Sequence, residues 1–112
     1  MMDNSRRLIA EADFELSHPD RKMRARIYAP TLAPDGETWA CAYTIDAPLS
    51  VEQSGRGETS LLALVEAFRG MSRALYGSAE YRDGQIGVDG EFAANLFMPA
   101  TADILDIAPY PF

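Results

Sequence analysis

The stretch ETSLLALVEAFRGMSRALYG, Glu58 to Gly77, decides the fold. Leu61, Leu64, Val65, Phe68, Met71, Ser72 and Leu75 fall at i, i+3, i+4, i+7, i+10, i+11 and i+14. That is one stripe at the α-helical period, and only Ser72 in it is polar. Leu62 and Tyr76 flank the stripe. Glu66, Arg69 and Arg73 lie on another side, where the Glu66–Arg69 spacing favours pairing and the Arg69–Arg73 spacing does not. Gly55 and Gly57 free the chain before the helix, and Thr59 or Ser60 can cap it. Gly77 suits the left-handed residue that closes the last turn. A helix with one apolar stripe needs a surface to cover.

Upstream residues supply that surface. Residues 6 to 16, RRLIAEADFEL, alternate: Leu8, Ala10, Ala12, Phe14 and Leu16 on one face, Glu11, Asp13 and Glu15 with Ile9 on the other. This is a half-buried strand. Ser17-His18-Pro19-Asp20 is turn chemistry. Arg21 to Tyr28 alternates again, Met23, Ala25 and Ile27 against Lys22, Arg24 and Arg26. A four-residue connection sets Glu15 opposite Lys22, Asp13 opposite Arg24 and Glu11 opposite Arg26. The same register brings Phe14–Met23, Ala12–Ala25 and Ala10–Ile27 together on the apolar face. A slip of one residue breaks both patterns, so the register is well specified.

Pro30 to Gly36 reads as a loop with an Asp-Gly turn. Glu37 to Ala47 is a third strand, with Trp39, Cys41, Tyr43 and Ile45 facing the helix and Thr38, Ala40, Ala42 and Thr44 on the small face. Pro48 ends it, Leu49 to Gln53 is a candidate edge strand, and Ser54 to Gly57 leads into the helix. Beyond Gly77 the signal weakens. Asp83-Gly84 and Asp89-Gly90 are turn dipeptides around a short strand, QIGV. Phe92 to Met98 must bury something, as helix or strand. The tail, ADILDIAPYPF, is too apolar to stay free and should pack on its own domain or on a neighbour. The fold class is α+β: an antiparallel meander of three to four strands covered by one long helix, with an irregular C-terminal extension, in a single domain over residues 1–112.

The totals bound the function. At 112 residues with 47% hydrophobic and 24% charged residues, the composition is that of one globular domain. Cys41 is the only cysteine, which excludes an internal disulfide and a cysteine-based zinc site. Glu11 and Asp13 interrupt the N-terminal apolar run, so no signal peptide is read, no segment is long enough to cross a membrane, and a cytoplasmic location is expected. A net charge of −7 at pH 7 argues against nucleic acid and anionic membranes as partners. It leaves self-association, basic proteins and small molecules.

The strand Trp39-x-Cys41-x-Tyr43-x-Ile45, followed by the helix start GRGETSLLAL from Gly55 to Leu64, resembles a group of small bacterial α+β proteins of unknown function. The likeness covers the middle third of the chain by motif and the whole by element order. It implies architecture and no activity. The C-terminal extension departs from the group's pattern, being longer and more apolar.

Little in the chain carries chemistry. His18 is the one histidine and sits in a turn, with no nucleophile and acid spaced to join it. Cys41 lies on a buried strand face and reads as a small hydrophobe. Glu11, Asp13 and Glu15 could serve as paired carboxylates, but the register gives each a basic partner. Asp103 and Asp106 read as solubilising acids. No catalytic residue, metal site or cofactor is assigned. Arg56, Gly57, Thr59 and Ser60 form a candidate anion site, because free amides at a helix N-terminus attract anions. The phosphate-loop ending Gly-Lys-Ser/Thr is missing, and Glu58 opposes an anion. Ala63, Ala67, Gly70 and Ala74 form a narrow small-residue band. Gly70 in mid-helix costs about 1 kcal/mol against alanine, so this band is a candidate interface for the tail or for a second subunit.

The sequence therefore points to a non-enzymatic, acidic binding or protein-interaction domain, expected to be a homodimer. The alternatives are a small-molecule or anion-binding protein using the Gly55–Ser60 segment, and an enzyme of unknown class using carboxylates.

Overall fold

The computed structural model describes residues 6–17, 20–92, 94, 96 and 98. His18 and the tail with Asp103 and Asp106 lie outside the described residues. The hairpin of β1 (Leu8–Ser17) and β2 (Asp20–Tyr28) has the expected register, with Glu15 opposite Lys22, Asp13 opposite Arg24 and Glu11 opposite Arg26. Phe14, Met23, Ala25 and Ile27 are buried on the inner face. The register shifts between Leu8 and Ala10, a bulge that spoils the alternation at Ile9. On the outer face Arg24 Nε lies 2.8 Å from Asp13 Oδ1. Arg26 is drawn chiefly to Asp46, at 3.0 Å. Glu15 departs from the charge pattern, because its Oε1 accepts from the Gly90 amide at 2.8 Å.

Among the described residues the sheet has seven strands, all pairings antiparallel, where three to four were expected. The additional strands lack the alternation that sequence reading depends on. β3 (Thr31–Leu32) resumes the path of β2 after Pro30 and pairs with the start of β4 (Trp39–Ile45). β5 (Val51–Gly57) pairs with β4 along its whole length, so SGRG belongs to a strand rather than to a helix lead-in. β6 (Ile86–Val88) is the short strand expected from QIGV, and it turns at Asp89-Gly90 into β7 (Glu91–Phe92).

The long helix α1 (Ser60–Tyr76) begins on Thr59, whose Oγ1 accepts from the Leu62 amide at 3.0 Å. Glu66 and Arg69 pair at 3.1 Å. Gly77 does not take the left-handed conformation; its φ is −85°. The chain instead continues through Ser78 into a single turn, α2 (Ala79–Arg82). Ser78 Oγ donates to Leu75 O at 2.8 Å and accepts from Tyr81 N at 3.1 Å, which joins the two helices.

The helix meets the sheet on a different face from the one its large side chains suggest. Ala63 and Ala67 are fully buried. A Cβ built on Gly55 would collide with the Ala67 amide and lie 2.6 Å from Ala63 O. A Cβ on Gly57 would lie 2.6 Å from Leu62 Cβ, and one on Gly70 would collide with the Tyr43 hydroxyl. The small-residue band is thus the seam along which α1 lies against β4 and β5, and its glycines permit a very short separation. The large stripe divides. Met71, Ser72, Leu75 and Tyr76 are buried. Leu61, Leu62 and Val65 stand 67%, 49% and 40% exposed.

Tyr76 and Tyr81 close the far end of the helix. Their rings meet edge-on at 5.1 Å. Tyr81 Oη donates to Ala94 O at 2.8 Å, and Tyr76 Oη accepts from the Leu96 amide at 3.0 Å. The two tyrosines so bind the chain beyond β7 to the core.

Candidate functional site

Three surfaces remain without a structural partner among the described residues. The first is the bare half of α1. Leu61 and Val65 share the side of the helix that carries Ser72 and Tyr76 farther along, and that later part is buried. One helix side is therefore covered in its second half and open in its first. Its openness follows from the seam: once Ala63 and Ala67 take the sheet, Leu61 and Val65 must point elsewhere.

The second surface is a polar recess of about 250 Å³ lined by Arg6, Glu52, Gln53, Ser54 and Arg56. Arg6 lies over the Tyr28 ring at 4.9 Å from its centroid and pairs with Glu52 at 3.4 Å. Arg56 has no ion pair among the described residues. Side chains alternate along a strand, and Gly55 and Gly57 both face the helix. Arg56 accordingly points to the opposite side of the sheet from the helix N-terminus. The structure does not gather Arg56, Gly57, Thr59 and Ser60 into one cradle. Thr59 is engaged in capping, Gly57 is pressed against Leu62, and Arg56 belongs to the recess.

The third surface is an apolar cleft of about 170 Å³ between the inner face of the hairpin and α1, with Ala10, Ala12, Phe14, Phe68, Met71 and Met98 among its walls. The helix was expected to lie across the whole sheet, with the Trp39, Cys41, Tyr43 and Ile45 face beneath it. Its seam on β4 and β5 leaves Ala10 and Ala12 exposed instead.

The candidate interface Ala63, Ala67, Gly70 and Ala74 is placed with equal clarity. The sheet of the same chain occupies Ala63, Ala67 and Gly70, where a tail or second subunit was expected. The available signal was the set of glycines: Gly55, Gly57 and Gly70 mark two elements in close approach.

Nucleophile and ligand chemistry are sparse. Burial pushes the Cys41 thiol above its ordinary value, and its Sγ donates to Tyr28 O at 3.2 Å. Asp35 is held below its ordinary range by the amides of Glu37 and Thr38 and by the Thr38 hydroxyl, as the brace of a turn. Among the described residues no three His, Cys, Asp or Glu side chains gather to hold a metal ion. No helix there is long and apolar enough to cross a membrane.

Residues 10–100 match the model of a family described as a domain of unknown function, DUF6968, and the chain belongs to that family. No curated protein and no solved structure matched the chain.

Proposed function

We propose that the protein is a small interaction domain that self-associates through the bare first half of α1. The observation that carries this reading is the exposure of Leu61, Leu62 and Val65 on adjacent turns. Clustered large apolar side chains at a surface mark contact sites in soluble domains. A second copy buries the same ridge on both sides of a two-fold axis.

Sedimentation equilibrium tests it. The full chain is expected near twice its 12.3 kDa mass, and Leu61→Asp with Val65→Asp is expected to sediment as a monomer whose urea midpoint equals that of the wild type diluted until it too is monomeric. A wild-type monomer at about 100 μM, the weak end of specific association, overturns the proposal. So does a variant that remains dimeric. Each copy carries −7 at pH 7, so added salt should tighten self-association by screening repulsion. Binding to a basic partner would weaken with salt.

Arg56 favours a second reading, a site for a small anion in the outer recess. It stands beside Arg6, Ser54 and Gln53 with no ion-pair partner among the described residues. A thermal shift with inorganic phosphate that disappears in Arg56→Ala supports it. No shift at millimolar phosphate removes it.

A further inference from the structure

Among the described residues β5 has β4 as its one strand partner. Which backbone groups of β5 face away from the sheet follows from β4. Asp46 N donates to Arg24 O, and Ala33 N donates to Thr38 O. Even-numbered residues along β4 therefore turn their backbone toward β2 and β3. The odd-numbered ones, Trp39 to Ile45, turn toward β5 and meet Gly57, Gly55, Gln53 and Val51. Glu52, Ser54 and Arg56 are left with amides and carbonyls directed outward, a template for another strand. The side chains of all three are exposed.

These residues share the outer face in the order acid, hydroxyl, base, and that order complements itself when reversed. If β5 pairs antiparallel with β5 of a second copy about Ser54, Glu52 of each copy faces Arg56 of the other. Ser54 then faces Ser54, and on the inner face Gln53 falls opposite Gly55, which has no side chain to meet it. A two-fold axis normal to the sheet matches outer face with outer face, so a slip can only move the axis to a neighbouring residue. Centred on Gln53, the pairing sets both Glu52 and Arg56 opposite serines. Centred on Gly55, it sets Glu52 opposite Glu58. One register alone joins opposite charges, the logic that also fixes β1 against β2. An edge carrying a single sign would instead repel its own copy. The pairing also supplies Arg56 with the ion-pair partner that it lacks among the described residues.

We propose that two copies join edge to edge along β5, so that the sheet continues through the dimer and Glu52 of each copy pairs with Arg56 of the other. The proposal rests on the self-association reading and adds a line of contact beside the α1 ridge: Leu62 of that ridge stands over Gly57, at the end of the same strand. Sedimentation equilibrium of charge variants tests it. Glu52→Arg alone and Arg56→Glu alone each set like charges opposite one another twice, and each should weaken the dimer about tenfold. Mixed in equal amounts, the two variants present opposite charges at every such position and should recover the wild-type dissociation constant. The chain carrying both substitutions should recover it by itself. Damage to folding would not be repaired by mixing two damaged chains, and exposed substitutions of this kind leave stability nearly unchanged. A wild-type monomer at about 100 μM overturns the self-association reading and this proposal with it. A wild-type dimer that both single variants keep at full strength overturns the edge pairing alone, as does a mixture that fails to recover.

Discussion

Ser72 is fully buried on α1, and its hydroxyl has no hydrogen-bond partner among the described residues. Desolvating a hydroxyl without return costs about 1–3 kcal/mol, and serine is a poorer helix former than alanine. Both terms have the same sign, so Ser72→Ala should stabilise the fold by about 1 kcal/mol. Urea denaturation measures it; a loss of stability would reveal a partner for the hydroxyl. The burial of Ser72 was legible, because it falls inside the apolar stripe. The absence of a partner was not, since that depends on which neighbours surround the helix's second half. Thr59 was legible as one of two candidate caps, with Ser60, for the opposite reason: capping is a local bond within three residues.

At the scale of elements, the hairpin register was readable from Ala10 to Leu16, and the seating of the helix was not. In β1–β2, charge and apolar alternation agree on one register, and any slip breaks both. In α1 two adjacent stripes compete, one large and one small, and period alone cannot rank them. The close approach of backbones decided it, and Gly55 is where that claim is testable. Gly55→Ala sets a Cβ against the backbone of Ala63 and Ala67, atoms that cannot rotate away. The cost should reach the upper part of the about 1–3 kcal/mol expected for overpacking. Gly70→Ala meets instead the end of the Tyr43 side chain and regains about 1 kcal/mol of helix propensity. Denaturant midpoints should therefore fall clearly for Gly55→Ala and little for Gly70→Ala. Equal losses would mean that the helix does not rest on β5 as described.

For the whole molecule, the sheet separates two kinds of order. Its inner face is apolar, and its outer face is a mesh of exposed ion pairs centred on Arg24 and Arg26. The α+β class and the meander followed from periodicity, while the short strands β3, β6 and β7 gain their order from neighbours rather than from their own pattern. The candidate surfaces were the least legible part, because a bare ridge or a cleft is defined by how the elements around it are seated. The outer face also makes stability pH-dependent. Asp13 is held below its ordinary range by the hydrogen bond from Arg24, and Asp35 by the Glu37 and Thr38 amides. A depressed folded-state value means that the native state binds protons less readily than the unfolded chain. The resulting stability is complete above the ordinary aspartate range and is lost as pH falls through it. The urea midpoint should hold steady from pH 7 to about 5 and decline below about 4. Asp13→Asn with Asp35→Asn should lower the midpoint at pH 7 and converge with the wild type in acid. Because the net charge vanishes near the isoelectric point of 4.5, the titration belongs at low protein concentration, where association cannot mimic the trend. A difference between the two proteins that stays constant from pH 7 to 3 would show that neither carboxylate contributes through its charge.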